Sequence, residues 1–185
     1  MGGVERYELV KRELGPLCPR ILEAAEEVRR ALLDESSELR RAYSALDRAI
    51  DVAGGVDELF WAGEEAEAFV PYLPGPDDDV FAAAATAANG APVTLSVVRH
   101  RGGGASVNAY AGGRKPAAYL LCSSAGWKPV ALFDEDAFLE AGVDPGEAHR
   151  AFARFVRCVA ADGVDCIVRR LRIAAEALLF LAAAP

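Results

Sequence analysis

The pattern of apolar positions changes its period along the chain, and the first fifty residues follow a helical period. Apolar side chains recur three or four residues apart in two runs, each opposite a face of Glu and Arg. The runs comprise Ile21, Leu22, Ala25, Val28, Ala31 and Leu32, and then Leu39, Ala42, Tyr43, Leu46, Ala49 and Ile50. Residues 34–37 supply N-cap chemistry between the runs, and Gly54-Gly55 ends the second. Residues 4–52 are therefore predicted to form two or three helices, including an antiparallel pair.

The next segment, residues 56–90, is predicted to add two further helices. The first covers 56–69, and the second covers 80–88, beyond a proline-rich interruption at 71–76. Asp77, Asp78 and Asp79 stand where the second helix begins, and the positive end of a helix dipole favours carboxylates there. This placement explains the three carboxylates more simply than a divalent-cation site does.

Residues 92–112 change to a period of two, which predicts a β-hairpin. Val93, Leu95 and Val97 alternate with other residues, and a basic, glycine-rich tip at 99–104 turns the chain. Val107 and Tyr110 continue the second strand. The glycines do not form a phosphate-binding loop, because they lack the Gly-Lys-Ser/Thr ending and no helix follows them directly.

Beyond the hairpin, the pattern predicts a series of short elements. We expect a helix at 115–126, strands at 127–133 and 138–141, a turn at 143–146, a helix at 164–177 and an apolar strand at 178–183. Residues 149–159 fit either a helix or a half-buried strand, and periodicity does not decide between the two. The predicted class is α/β of the α+β kind. A helical region with a hairpin (residues 1–112) precedes a small mixed-sheet domain (113–185).

Composition narrows the kind of protein. A chain of 185 residues with 52% hydrophobic and 26% charged residues is long and apolar enough to bury a core. The N-terminus has no apolar signal core and the longest apolar run is too short to cross a bilayer, so we expect a cytoplasmic protein without membrane contact. The absence of Gln and the single Met favour a thermophilic source, although GC-rich coding gives a similar bias.

The cysteines and histidines are too dispersed to suggest a metal site or a cofactor. Cys18, Cys122, Cys158 and Cys166 include no Cys-x-x-Cys pair, and the chain has only two histidines. We therefore predict four buried free thiols, with neither a zinc cage nor a disulfide framework. No cofactor is expected.

The charge is divided unequally between the two halves of the chain. Residues 1–90 carry 19 carboxylates and 9 cations, whereas residues 91–185 carry 9 carboxylates and 11 cations. No carboxylate lies between Asp79 and Asp134, where basic residues alternate with Tyr110, Tyr119 and Trp127. Cations beside aromatic rings suit phosphate attraction and base stacking, although solvated loop charges would look the same. The cations of this stretch are Arg99, Arg101, Arg114, Lys115 and Lys128.

Residues 115–184 carry a series of short motifs in a definite order and spacing. They are Tyr119-Leu120-Leu121, Gly126, Lys128-Pro129, Phe133 to Glu140, Asp144-Pro145, His149 before Phe152 to Val159, and Arg172-Ile173-Ala174 before Leu178 to Leu181. In this order and spacing they resemble the C-terminal nuclease domain of the archaeal tRNA-splicing endonucleases. If the chain contacts the RNA substrate of that family, the RNA-binding candidates are Arg99, Arg101, Arg114, Lys115 and Lys128, with Arg169, Arg170 and Arg172 as a second group. The resemblance implies the element order helix, strand, strand, turn, strand, helix, strand. It also implies that Leu178, Leu179, Phe180 and Leu181 form a terminal strand that pairs with another subunit.

The resemblance also implies what this chain lacks. The family cleaves RNA through its 2′-hydroxyl group with a Tyr, a His and a Lys, which act in general acid–base catalysis and charge stabilisation. His149 stands at the His position, but Glu140 occupies the Tyr position and Leu179 the Lys position. We therefore expect a non-catalytic, structural subunit of a heterotetrameric splicing endonuclease. Its expected partners are a catalytic subunit and precursor tRNA.

Two other functions are compatible with the sequence. The unexplained helical N-terminal region favours a non-enzymatic binding or scaffold subunit of another complex. A third hypothesis is a self-sufficient enzyme built around His149 with Glu140 or Asp144. Against it, a single histidine near acids is more often a packing residue than a catalyst.

Overall fold

The computed structural model describes residues 3–52, 79–86, 92–100, 102–111 and 115–183, which form helices and one β-sheet. In chain order the elements are α1 (Gly3–Leu9), α2 (Cys18–Leu33), α3 (Glu38–Val52), β1 (Asp79–Thr86), β2 (Pro92–Arg99), β3 (Ala105–Tyr110), β4 (Ala118–Cys122), β5 (Val130–Phe133), α4 (Glu135–Glu140), α5 (Pro145–Asp162) and α6 (Val164–Ala183). A π-helical turn (Val10–Leu14) and a 3-10 turn (Gly15–Leu17) join α1 to α2. The predicted α+β class is confirmed.

The N-terminal helices follow the predicted pattern. Helix α2 buries Ile21, Ala25 and Val28, which lie on one face at helical spacing. Between α2 and α3, the Ser37 hydroxyl accepts a hydrogen bond from the backbone N–H of Arg40 at 3.2 Å. This is the N-cap contact that residues 34–37 were expected to provide. The helix predicted at 56–69 lies outside the described residues.

The sheet has five strands in sequence order, and each pairs antiparallel with the next. Val97 lies opposite Val107, which lies opposite Leu120. The predicted hairpin at 92–112 is confirmed by β2 and β3. Among the described strands every pairing is antiparallel, whereas the resemblance implied a mixed sheet in the C-terminal part.

The helix predicted at 80–88 is wrong, because Asp79–Thr86 forms strand β1. β1 pairs with β2 along its whole length, from Asp79 opposite Arg99 to Thr86 opposite Pro92. The alanines of this stretch favour a helix in isolation, but pairing with a neighbouring strand overrides that weak preference. Asp79 therefore begins a strand and does not sit at a helix N-terminus, and Asp77 and Asp78 lie outside the described residues.

The helix predicted at 115–126 is also wrong. Its central residues form β4, in which Ala118, Leu120 and Cys122 are buried while Leu121 faces solvent. This alternation is the period of a strand, but a five-residue stretch is too short for the sequence to distinguish it from a helical turn. The strand predicted at 127–133 is confirmed as β5, although β5 begins only at Val130.

Two carboxylates set the beginnings of the next helices. The Asp134 side chain accepts a hydrogen bond from the backbone N–H of Ala137 and caps α4, so the strand predicted at 138–141 is wrong. The Asp144 side chain accepts from the backbone N–H of Glu147 and caps α5, with Pro145 in the first turn. The predicted turn at 143–146 is thus the start of a helix, and residues 149–159 are helical.

The terminal strand predicted at 178–183 is wrong, because helix α6 continues to Ala183. α6 packs against α3 and also contacts β1. A short apolar run is compatible with either structure, and packing against α3 stabilises the helix. Leu178, Leu179, Phe180 and Leu181 therefore lie on a helix and offer no backbone edge for pairing with another sheet.

One buried apolar cluster joins the helices to one face of the sheet. It extends from Val10 to Ala175 and includes residues on both sides of residue 112. The proposed boundary between residues 112 and 113 falls between β3 and β4, which pair with each other.

The prediction of four free thiols is wrong. Cys18 is bonded to Cys122, and Cys158 is bonded to Cys166. The first bond joins positions separated by 104 residues in the sequence, which no local spacing reveals. The second crosses the turn at Gly163, whose positive φ of 59° reverses the chain between α5 and α6. Disulfides form and persist mainly in oxidising compartments, and the intracellular proteins of hyperthermophiles are an exception.

Candidate nucleic-acid interface

The two faces of the sheet differ in what their side chains meet. On the inner face Leu95, Val107 and Leu120 are completely buried in the core cluster that includes α2 and α5. Successive residues of a strand point to opposite faces, so Ser96, Asn108 and Leu121 belong to the outer face. The site described below lies on the outer face.

A row of polar side chains crosses the outer face of β2 and β3. The Asn108 amide donates to the hydroxyl oxygens of Ser96, at 3.3 Å, and Ser106, at 3.1 Å. The hydroxyl of Ser106 is joined to Nε2 of His100 at 2.8 Å. Burial raises the pKa of Tyr110, and a hydrogen bond with Ser96 partly opposes that shift. We call these five residues the polar row.

The Ser106–His100 pair resembles the nucleophile and base of a hydrolase in composition only. Ser106 is 4% exposed, so its hydroxyl is not accessible to a substrate carbonyl. The same hydroxyl also accepts the amide of Asn108. The pair therefore holds β2, β3 and the turn between them in register, which is a structural role.

Four larger side chains on the outer face of β4 and β5 form an exposed patch. Tyr119 lies opposite Leu132 and Leu121 lies opposite Val130. Leu121 is 36%, Leu132 36% and Val130 47% exposed. These four residues are called the outer patch, and apolar patches of this kind mark binding surfaces in many proteins.

The loop from β4 to β5 adds an exposed aromatic ring and a cation. This segment, residues 123–129, is called the Trp127 loop. It follows Cys122 and precedes Val130, so it lies at the end of the outer patch that Leu121 and Val130 form. Trp127 is 78% exposed, and Lys128 beside it is also exposed. The loop lies next to the glycine-rich turn, because Ser124 donates to the backbone carbonyl of Gly102 at 3.4 Å.

The basic candidates do not form one surface. Lys115 and Lys128 are exposed, but they lie before and after β4 and hence near its opposite ends. Arg99 turns to the inner face and pairs with Glu26 of α2 at 2.7 Å. Partial burial raises the pKa of Glu26, but Arg99 and Arg29 outweigh this and hold that pKa below its ordinary value. Arg101 and Arg114 lie outside the described residues.

The second basic group belongs to helix α6. Arg169 pairs with Asp162 at 2.6 Å, and the guanidinium of Arg170 lies over the ring of Phe155 at 5.0 Å. Arg172 is exposed. These contacts stabilise the α5–α6 pair, so among the described candidates only Lys128 lies beside an exposed aromatic side chain.

His149 has a packing environment. Its ring meets the ring of Phe133 edge-on, with 5.6 Å between centroids, and Arg6 lies on the same phenyl ring at 5.9 Å. Its Nε2 atom is buried and has no hydrogen-bond partner among the described residues. Burial lowers the pKa of His149, and the nearby Arg6 lowers it further. Glu140, at the end of α4, and Leu179, on α6, are both exposed.

A cavity lies between α2 and the end of α5. It has a volume of about 120 Å³ and is lined by Arg20, Glu23, Glu27 and Asp162 among others. Arg20 donates to the backbone carbonyl of Ala160 at 3.2 Å. Among the described residues, no group of three or more His, Cys, Asp or Glu side chains is arranged to hold a metal ion.

Sequence reasoning singled out Trp127 and Lys128 but missed the polar row and the outer patch. A signal for the polar row exists, because Thr94 and Ser96 alternate on one strand and Ser106 and Asn108 on the next. Such alternation predicts a polar face across two strands. The outer patch depends on the strand assignment of β4, which the sequence did not give.

Comparison of the chain with protein-family models, with curated proteins and with solved structures gave no match. Within the described residues, none of the helices combines the length and the apolar character needed to span a bilayer.

Proposed function

We propose that this chain is a non-catalytic protein that binds unpaired segments of RNA on the Trp127 loop and the adjoining outer patch. The observation that carries the proposal is the pairing of Trp127, 78% exposed, with the exposed cation Lys128 on a loop that ends at the outer patch. An indole offers a stacking surface to any base, and a neighbouring ammonium group attracts the phosphate. Tyr119 supplies a second ring on the same face.

The charge of the sheet supports this surface. No residue between Asp79 and Asp134 carries a carboxylate, so strands β2 to β5 present no negative side chain to a phosphate. Among the described residues, the carboxylates lie mainly in the helices. A chain with a formal net charge of −8 therefore has one stretch of sheet without negative side chains, which supports the binding of an anionic ligand there.

An unpaired strand fits this surface better than a duplex does. Within a duplex the bases are stacked on one another, and the A-form major groove is too narrow to admit an indole. With Lys128 as the cation beside the ring, phosphate attraction is weak, so stacking must supply most of the affinity.

The arrangement supports no catalytic role for the residues we described. His149 packs against Phe133, and the Ser106 hydroxyl is inaccessible. The finer role, a structural subunit of a tRNA-splicing endonuclease that assists a catalytic chain on precursor tRNA, stays a prediction. It requires a pairing surface other than residues 178–181, because those residues are helical.

Fluorescence anisotropy with labelled RNA tests the proposal. We expect a single-stranded oligonucleotide of about ten residues to bind, and Trp127→Ala to weaken its binding by about 5- to 100-fold, which is the contribution of stacking one base. Lys128→Ala should weaken it less and reduce its salt dependence. Lys115→Ala is the matched control for Lys128→Ala, and Leu139→Ala, which removes an exposed apolar side chain elsewhere, is the control for Trp127→Ala.

Two results would reject the proposal. One is the absence of binding at low salt to any single-stranded RNA. The other is equal affinity of the wild-type chain and Trp127→Ala.

The apolar character of the outer patch favours a second candidate, a scaffold that docks a protein partner. Leu132→Ser separates the two candidates. It should leave RNA affinity nearly unchanged if the ligand stacks mainly on Trp127, and it should disrupt a protein complex.

A further inference from the structure

The Trp127 loop is fastened to its surroundings at three points. At its start, Cys122 is bonded to Cys18 at the beginning of α2. Two residues beyond Cys122, Ser124 donates to the backbone carbonyl of Gly102. At its end, Cγ of Pro129 lies 3.3 Å from the position that a Cβ atom of residue 15 would occupy. Both ends of the loop therefore rest on residues 15–18.

The disulfide is the strongest of these fastenings. Pairing between β4 and β5 extends only to Leu121 opposite Val130, so Cys122 is held by β3 alone on its strand side. The hydrogen bond of Ser124 is long, and Pro129 lies beside Gly15 without a bond. A covalent link to α2 thus limits how far the start of the loop departs from the sheet.

The exposure of Trp127 makes this support necessary. A ring that is 78% exposed has little packing of its own, so the loop backbone must set its position. Fixing the loop before binding reduces the entropy lost when a ligand orders it.

We infer that the Cys18–Cys122 disulfide is a positioning pair that holds the Trp127 loop ready for its ligand. The inference rests on the proposed function. Reduction by a dithiol transfers two electrons and two protons to the bond, giving two thiols on the protein and a disulfide on the reductant. Because Cys18 is 8% and Cys122 0% exposed, the reductant reaches the sulfurs only when the structure opens locally.

The second disulfide provides a matched control. Cys158 and Cys166 join α5 to α6 and lie in the helical layer, away from residues 123–129 in the chain and in the sheet. Removing this bond also deletes a covalent link and lowers stability, but it leaves every fastening of the Trp127 loop in place.

The experiment compares Cys18→Ala/Cys122→Ala with Cys158→Ala/Cys166→Ala. Both pairs carry Trp61→Phe, which leaves Trp127 as the single tryptophan, since the sequence has two. Time-resolved anisotropy of Trp127 reports loop motion without any ligand, and single-stranded RNA binding reports function. Both are measured at a temperature where each variant is folded by circular dichroism.

Removing Cys18–Cys122 should speed the local motion of Trp127 and weaken RNA binding by about three- to tenfold, the cost of ordering the loop on binding. Removing Cys158–Cys166 should change neither. The Trp61→Phe protein with all four cysteines, reduced under mild heating, should behave like the first variant.

Equal Trp127 motion in the two double variants would overturn the inference, whatever RNA does. If no variant binds RNA but Trp127 motion still separates them, the positioning role stands and the proposed function falls. If Cys18→Ala/Cys122→Ala does not fold, Gly15→Val takes its place, because it displaces Pro129 while both disulfides remain. Unchanged loop motion and unchanged affinity in Gly15→Val would then count against the inference.

Discussion

Adjacent residues of the same strands form the inner and outer faces of the sheet, yet the two faces differ in what surrounds their side chains. In β4, Leu120 is completely buried while Leu121, the next residue, is 36% exposed. The inner face is apolar and covered by helices, so its residues are explained by burial. On the outer face the polar row is buried and hydrogen-bonded, whereas the outer patch exposes apolar side chains to solvent. The exposed part of the outer face is where we propose that a ligand binds.

Truncation of the two neighbouring leucines gives the largest expected difference. Leu120→Ala should lower the free energy of unfolding by about 2–5 kcal/mol, because it leaves a cavity in the core. Leu121→Ala should cost less than about 1 kcal/mol, since its side chain already meets solvent. Urea unfolding of both variants measures the difference, and similar losses would show that the outer face is also a core.

Disrupting the polar row should have an intermediate effect on the free energy of unfolding. Asn108→Ala removes the donor to Ser96 and Ser106 and should cost about 1–3 kcal/mol, because the remaining buried hydroxyls lose a partner. Ser124→Ala is the control, since it deletes an exposed hydroxyl with a single long hydrogen bond. If Asn108→Ala proved as stable as this control, the polar row would not hold β2 and β3 together.

The smallest expected effect is on the pH dependence of folding stability. It involves the imidazole of His149, which lies beside Phe133 on the inner side of the sheet. The pKa of His149 in the folded state lies below its ordinary value of 6.5, so the unfolded chain takes up the proton first. The stability from this residue is therefore complete above about pH 6.5 and declines as the pH falls below it. His149→Leu should reduce the loss of stability between pH 7 and pH 5.

Thermal unfolding over this pH range measures the effect as a difference between variant and wild type. Identical pH profiles for His149→Leu and the wild-type chain would mean that the imidazole is not desolvated in the folded protein.

The sequence allowed prediction of the elements whose residues repeat over several turns. Helices α2 and α3 have long apolar stripes, and the β2–β3 hairpin has both alternation and a glycine turn. The predictions of the short C-terminal elements were wrong, because a run of four to six apolar residues fits both the helical period and the strand period. β4 was taken for a helix, α4 and the end of α6 for strands, and only packing against neighbours decided between them.

The candidate site was predictable only in part. Trp127 and Lys128 were identified as residue types near one another in the sequence, but their exposure depends on the loop. Arg99 was expected to face RNA, yet it turns inward to Glu26, because position 99 has the same parity as buried Val97. Which face a residue joins is fixed by strand register, and one sequence without a known register does not supply it.

The bond between Cys18 and Cys122 also closes a covalent ring that contains α2, α3 and strands β1 to β4. A protease that cuts the backbone once between these cysteines leaves the two fragments joined until the disulfide is reduced. Residues 53–78 of the sequence lie within this ring. Cleavage there yields a single band on a non-reducing gel and two on a reducing one, so an oxidised molecule tolerates backbone scission without losing either part.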